Sequence, residues 1–295
     1  MDQLDYRALA VLDAVATHGS FDKAAAALGI SQPAVSQRIK SLEDAAGRLL
    51  IVRSAPAVPT GLGQRLISHY RNVKLMEATL DIDLGKTVSM PELSVAVDDA
   101  SLATWFPLCL PPLLSPPRCQ LDIQQADQSQ AVHRLREGSV FGAVLADDGS
   151  EIKGPNATAL GAMRYVCVAT PAFAAHWFGD GFTAEAVQLA PAVVHDRELT
   201  ARFLLEHTAT TGPFPHHTLP LSTALNDCLL GGHAYGLLPY LQAAQALAQG
   251  MLVDLMPAAY VDVPLLWRAW ELDTPFTRAL TEQVVAVAGK YLVQD

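Results

Sequence analysis

Successive patterns of apolar and polar positions run along the chain. Up to about residue 58, apolar side chains step by three and four through Leu4, Leu9, Leu12, Val15 and Ala16, the period of helices that bury one face. Between Pro59 and Gly85 the same step continues through Leu62, Leu66, Tyr70, Val73, Leu75, Met76 and Leu80, which predicts one long helix. Its apolar stripe is longer than a connector needs. A partner helix accounts for it best, so dimerisation is expected here, with packing on its own domain as the plainer alternative.

From Leu93 onward short apolar runs alternate with helical periods. LSVAVD, CQLDIQQA, FGAVLAD, RYVCVATP, PAVVHD, HTLPLS, AYGLLP and VPLLWRAW read as strands. SLATWFPLCLPPLL (bent at its prolines), DQSQAVHRLREG, TARFLLEH and TRALTEQVVAVAGKYL read as helices. This alternation predicts an α/β architecture with mainly parallel sheets, long enough for two small lobes with crossovers near Pro171 and Pro264. The expected divisions are 1–58, 59–90 and 91–295, with one lobe at about 91–169 plus 264–295 and the other at about 170–263.

Composition narrows the class. With 51% hydrophobic and 17% charged residues the 295-residue chain has ample core and is not disordered. No apolar run reaches the roughly 18 residues that span a bilayer. Asp2, Asp5 and Asp13 stand where a signal peptide would be basic, so a cytoplasmic location is expected. Cys109, Cys119, Cys167 and Cys228 are scattered and read as free thiols. The formal charge of −10 argues against nucleic-acid binding by the whole surface, yet residues 1–75 hold nine basic against six acidic side chains. A slightly basic head on an acidic body suits DNA contact at one end.

Within that head SFDKAAAALGISQPAVSQRIKSLE runs from Ser20 to Glu43. Phe21, Ala24, Ala25 and Leu28 give one helix an apolar face, Gly29-Ile30 turns the chain, and Ser31 suits the cap of a second helix that tolerates Pro33 in its first turn. Val35, Ile39 and Leu42 then face inward, and the small alanines permit the close crossing of a helix-turn-helix. The outer face carries Gln32, Ser36, Gln37, Arg38 and Lys40, with no acid before Glu43. Glutamine reads adenine with two hydrogen bonds, serine reads either kind of base edge, and arginine and lysine hold phosphate. A merely solvated hairpin has no reason to gather amides and cations in this way. Double-stranded DNA is the expected partner.

FDKAAAALGISQPAVSQRIKSLE, followed by LLIVRSAPAVPTGLGQRLI, resembles the LysR-type transcriptional regulators, and the resemblance extends over the whole chain. DDASLATWF, FGAV, GAMRYVCVATPAF, DGFTAEA and VDVPLLWRAWELDT are similar to its ArgP/LysG branch, which responds to basic amino acids and commonly controls a lysine or arginine exporter. The resemblance implies an all-α winged helix-turn-helix, a long dimerisation helix and a two-lobed α/β effector domain like a periplasmic binding protein. It also implies homodimers that pair into tetramers on an interrupted palindrome, with RNA polymerase as a further candidate partner. By the same resemblance DNA contacts fall at Ser31, Gln32, Pro33 and Ser36, with Arg38 and Lys40 in register. Arg53, Pro59 and Thr60 fall where the wing and the start of the linker helix approach the backbone and minor groove.

In such a two-lobed protein a small ligand lies in the cleft, at strand ends and helix N-termini. VAVDDASLATW offers a strand ending near Asp98, then Ser101 and Thr104 on a helical turn suited to a ligand carboxylate; plain N-capping is the alternative for Ser101. Ser222 and Thr223 begin another helix. A basic ligand needs a carboxylate as well, and Asp98, Asp99, Asp147 and Asp196 stand at strand ends. Relatives commonly read V-N-A-D-S where this chain has Val97-Asp98-Asp99-Ala100-Ser101, and tend to carry Glu where it has Thr223-Ala224-Leu225. The expected effector is an amino acid, lysine- or arginine-like, with a less basic one left open by these departures.

No G-x-S-x-G elbow, P-loop or G-x-G-x-x-G motif is present, so enzyme activity is not expected. Glu206, His207, His216 and His217 fall near one another but in a Pro/Gly loop without metal-ligand spacing, and neither metal nor cofactor is expected. Two rivals stand beside the regulator. One is an effector-independent architectural or replication-origin-binding protein, which ligand-independent binding at AT-rich DNA would favour. The other is a solute-binding or enzymatic α/β protein with an incidental helical head.

Overall fold

The computed structural model describes residues 4–84, 92–115, 119–150, 152–221 and 223–294. Its head rests on three capped helices. α1 (Tyr6–His18) starts at Asp5, α2 (Phe21–Leu28) at Ser20 and α3 (Gln32–Ala46) at Ser31, each through a side-chain oxygen that accepts backbone N–H groups. They end at Gly19, Gly29 and Gly47, all left-handed with φ of 63°, 65° and 64°, a conformation that lets the chain reverse within a few residues. Leu9, Leu12, Val15, Val35 and Ile39 are fully buried between the helices, with Ala24 and Ala25 packed beside them.

A two-stranded wing follows, β1 (Ile51–Val52) antiparallel to β2 (Val58–Pro59). Glu43 near the end of α3, only 9% exposed, holds it: its Oε1 accepts the amides of Leu50 at 2.9 Å and Ile51 at 3.3 Å. α4 (Gly61–Asp83) then leads away over 23 residues. Its apolar stripe is shared out. Leu62, Leu66, Ile67 and Tyr70 pack into the chain's own head, Leu75 joins the core of the C-terminal domain, and Met76 and Leu80 are 46% and 58% exposed. Arg71 pins three segments, with Nε 2.7 Å from Asp13 of α1 and an amino nitrogen 3.7 Å from Glu92.

The C-terminal domain has two lobes. The first contains β3 (Glu92–Val97), α5 (Asp99–Ala103), a 3-10 turn (Phe106–Cys109), α6 (Pro111–Leu114), β4 (Gln120–Gln125), α7 (Gln128–Glu137) and β5 (Gly142–Ala146). The long β6 (Asn156–Ala169) leads to the second: α8 (Pro171–Trp177), α9 (Ala184–Val187), β7 (Ala192–Val194), α10 (Arg197–Thr208), β8 (His216–Thr218), α11 (Thr223–Leu230), β9 (Gly236–Pro239), α12 (Tyr240–Ala248) and β10 (Val253–Asp254). β11 (Val261–Ala269) returns, and α13 (Pro275–Tyr291) closes the first lobe against its 3-10 turn.

β3 lies between β4 and β5, parallel to both, and β7 is parallel to β8. β6 and β11 are antiparallel to every strand they pair with. The sheets are therefore mixed, not mainly parallel as the alternation of strands and helices suggests. A strand that carries the chain across and another that brings it back run against each other, and an apolar run looks the same in either direction. The two crossing strands pair through nine registered partners with a bulge at Leu265/Leu266, opposite Gly161, whose φ of 102° a side-chain residue rarely adopts. Cys109, Cys119 and Cys167 are buried, Cys228 is half-buried, and all four are free. Among the described residues no helix is long and apolar enough to cross a membrane.

Removing the Glu43 carboxylate leaves two amides of the wing without their buried acceptor. Hydrogen bonds to a charged group are worth about 1.5–3 kcal/mol. In Glu43→Ala, amide hydrogen exchange at Leu50 and Ile51 should accelerate by about tenfold or more, with α1 less affected; unchanged protection would show that the tether does not hold the wing.

Candidate nucleic-acid interface and effector cleft

The sequence of α3 separates an inner face from an outer one. Val35, Ile39 and Leu42 are buried, while Gln32, Pro33, Gln37, Arg38 and Lys40 are exposed and Ser36 is half-buried. The Ser31 hydroxyl accepts the Ala34 amide at 3.4 Å, so this exposed residue also starts the helix. Gln32 Nε2 donates to Ser36 Oγ at 3.1 Å, one turn away, which holds both side chains side by side on the outer face. No ion pair among the described residues engages Arg38 or Lys40, so both cations stay available to an anion. Arg53 lies on the wing with its guanidinium 5.3 Å from the Phe21 ring centroid. A crevice of about 560 Å³ separates it from α3 and is lined by Ser20, Phe21, Gln32, Ser36, Arg53 and Pro56 among others. Pro59 is in β2, and Thr60 caps α4, donating to Leu49 O and accepting the Gly63 amide.

In the C-terminal domain the groups that sequence placed at strand ends do not all meet. Asp98 closes β3 and caps α5: Oδ1 accepts the Ser101 amide at 2.9 Å, whereas Oδ2 is buried and has no partner. Burial raises the Asp98 pKa above the ordinary carboxylate value, and its hydrogen bonds with Ser101 offset part of that rise. Asp99 accepts Gln125 Nε2 at 2.6 Å. Ser101 is fully buried and its Oγ accepts the Trp105 indole N–H at 3.1 Å; the Thr104 hydroxyl donates to Ala100 O at 2.6 Å. Asp196 follows β7 by two residues and caps α10 through Leu199 N.

Two residues that the sequence reading passed over complete this site. Tyr165 of β6 and His195, between β7 and Asp196, stack nearly face to face, with centroids 5.5 Å apart and 11° between planes. Burial raises the Tyr165 pKa, and the charges of Asp98, Asp196 and Asp99 push it the same way. Burial lowers that of His195, against the opposing pull of Asp196 and Asp99, and His195 Nδ1 is a second buried atom without a partner. Asp99 and Asp196, from the two lobes, thus act on both members of the stacked pair, and Asp98 acts on Tyr165. None of the three is in an ion pair with a lysine or arginine among the described residues. Asp147 is exposed and accepts the Gly149 amide in a turn, and Thr223 is the exposed first residue of α11; no described contact joins either to the group. Ser222 lies outside the described residues.

Among the described residues no group of three or more His, Cys, Asp or Glu is arranged to hold a metal ion. His195 was legible only as the neighbour of a strand-end acid, and Tyr165 looked like core because its strand is buried along most of its second half.

Both modules match known families. Residues 6–64 match the bacterial regulatory helix-turn-helix protein, lysR family, and residues 88–289 match the LysR substrate binding domain. The chain is 40% identical to the HTH-type transcriptional regulator ArgP of Pseudomonas aeruginosa over 298 residues, 98% of each chain. It is 38% identical to that of Aeromonas salmonicida over 297 residues, 99% of each. The crystal structure of ArgP from Mycobacterium tuberculosis superposes with a TM-score of 0.87 at 34% identity, covering 99% of this chain and 100% of that one. Full-length LysG from Corynebacterium glutamicum with bound effector Arg gives 0.77 at 29% identity, with 99% and 100% covered. The chain belongs to the LysR family of DNA-binding transcriptional regulators, with a helix-turn-helix head and an effector-binding domain. Within that family it falls in the ArgP/LysG branch.

The lowered His195 pKa sets a pH dependence. Below its ordinary value of 6.5 the unfolded chain takes up the proton before the folded one, so stability is full above 6.5 and is lost as pH falls through the folded value. His195→Phe keeps the stack and removes the proton site. Its Tm should fall less than the wild-type Tm as pH drops below 6.5; parallel curves would mean that the imidazole does not titrate on unfolding.

Proposed function

We propose that the effector is a cationic amino acid of the arginine or lysine class, held in the cleft with its positive group among Asp98, Asp99 and Asp196. The observation that carries this reading is the stack of Tyr165 on His195 in the field of Asp99 and Asp196, with Asp98 acting on Tyr165, beside two buried atoms that lack hydrogen bonds, Asp98 Oδ2 and His195 Nδ1. A charge left uncompensated beside low-dielectric groups is unfavourable, and an ammonium or guanidinium relieves it. The similarity to LysG with bound effector Arg supports the same class. Asp147, Ser101, Thr104, Ser222 and Thr223 remain candidates, with Ser101 and Thr104 acting through the α5 turn.

At the other end, Ser31, Gln32, Pro33, Ser36, Gln37, Arg38 and Lys40 meet a half-site of an interrupted palindrome in the major groove. Arg53, Pro59 and Thr60 flank it at the backbone. The exposed Met76 and Leu80 of α4 suit a partner helix in a cytoplasmic homodimer or tetramer. Effector binding favours one arrangement of the lobes, and through α4 one spacing of the paired heads.

Thermal unfolding against the twenty amino acids tests the effector. Arginine or lysine at a hundred times its Kd stabilises the folded protein by about 2.7 kcal/mol, and Asp99→Asn combined with Asp196→Asn should abolish the shift. A shift with acidic or apolar amino acids alone would overturn the assignment. On DNA, Gln32→Ala should relax sequence preference, whereas Lys40→Ala should weaken all sequences alike and reduce the salt slope by about one. Equal losses on all sequences for Gln32→Ala would remove its role in base reading.

A further inference from the structure

A cavity of about 530 Å³ lies against the crossing strands and is lined by none of Asp98, Asp99, Tyr165, His195 and Asp196. Its volume is in the range of small-molecule sites. Ala162, Arg164 and Val166 line it, alternate residues of β6 on the face opposite to Tyr165, and Met163 reaches it as well. Elements from both lobes enclose it: β6, Asp254 of β10, Tyr240 at the start of α12, Tyr260 before β11, and Tyr291 to Val293 at the end of α13. Val293 is hydrogen-bonded in both directions to Ala162, next to the bend at Gly161.

The charges in this cavity are unevenly matched. Arg164 is already satisfied: its Nε and an amino nitrogen reach the two oxygens of Asp262 at 2.9 and 2.7 Å, and its guanidinium stacks 3.7 Å from the Tyr260 ring centroid. Asp254 is the one carboxylate in the lining. Its Oδ1 accepts the Met256 amide at 2.9 Å, and no hydrogen bond among the described residues occupies Oδ2. Burial raises its pKa, the mark of a negative charge without compensation. Around it stand the rings of Tyr240 and Tyr291, each nearly half-exposed, with Leu241, Pro257 and Leu292 as apolar wall. Aromatic rings and a single unpaired carboxylate are the chemistry that recognises an organic cation.

We propose that this cavity is a second ligand site, distinct from the cleft, for a small organic cation bearing an ammonium or guanidinium group, with Asp254 as its counter-ion and Tyr240 and Tyr291 as its aromatic wall. A ligand there touches elements of both lobes beside the bend at Gly161, and so biases the lobe arrangement that the proposed function invokes for the cleft effector.

Agmatine, which has the guanidinium and amine of arginine's skeleton but no carboxylate, is the probe. Isothermal titration and thermal unfolding of the full chain compare wild type, Asp254→Asn, Tyr291→Leu and the cleft variant Asp99→Asn. Agmatine should bind wild type and Asp99→Asn with equal affinity. Asp254→Asn, which keeps an oxygen for the Met256 amide, should bind at least tenfold more weakly, and Tyr291→Leu, a second variant that alters no charge, severalfold. No binding of agmatine to wild type, or affinity unchanged in both cavity variants, overturns the proposal. Loss of binding in Asp99→Asn does so too, by placing agmatine in the cleft. The cleft reading fails separately: wild type that ignores arginine and lysine yet binds agmatine in an Asp254-dependent way keeps this site and removes the other.

Discussion

The antiparallel pairing of β6 with β11 is the constraint on which the C-terminal domain depends. Both strands pass from one lobe into the other, so the lobes share a backbone ladder from Asn156↔Ala269 to Tyr165↔Val261. Backbone hydrogen bonds resist stretching and shear far more than they resist twisting. The bulge at Leu265/Leu266 and the left-handed Gly161 concentrate the bending at one level of that ladder. The ladder thus fixes the separation and register of the lobes along these nine pairs. This geometry suits a domain that must report whether a small molecule is present.

The turn from β3 into α5 leaves a buried carboxylate oxygen unmet. Asp98 would be an ordinary helix cap if it lay in water, but here one oxygen is sealed off without a partner. Asp99 and Asp196, hydrogen-bonded to Gln125 and to the Leu199 amide, add their field at a stacked tyrosine and histidine. Such an arrangement sacrifices some stability of the empty state.

Much of this was legible from the residues because it is local. Ser20 and Ser31 as caps, Gly29 as the turn, and the inward step of Val35, Ile39 and Leu42 all depend on neighbours within a few positions. Strand positions were legible for the same reason, and strand directions were not: β6 and β11 carry no mark of the partner they will run against. The stripe on α4 shows the limit of periodicity, which reports that a face is covered without saying by what; Tyr70 meets its own head while Leu80 stays open. In the site, Asp98, Asp99 and Asp196 stood out as acids at strand ends. Tyr165 and His195 did not, because their role arises from a stacking between residues thirty positions apart. Ser101 finds its partner one helical turn on, in Trp105, an interaction that spacing permits but does not announce.

Arg71 gives ionic strength a second point of entry. Its guanidinium and the carboxylates of Asp13 and Glu92 are 29%, 24% and 40% exposed, open enough for dissolved ions to screen them. Charges more than about 8 Å apart are largely screened at physiological salt, and partly exposed pairs in contact weaken as salt is added beyond that. Added salt thus competes at the phosphates and at the same time slackens the joint between head, connecting helix and first lobe. The two responses arise from different places, yet both register as weaker complexes. A salt titration of this regulator reads the tightness of its own frame along with the number of phosphates it touches.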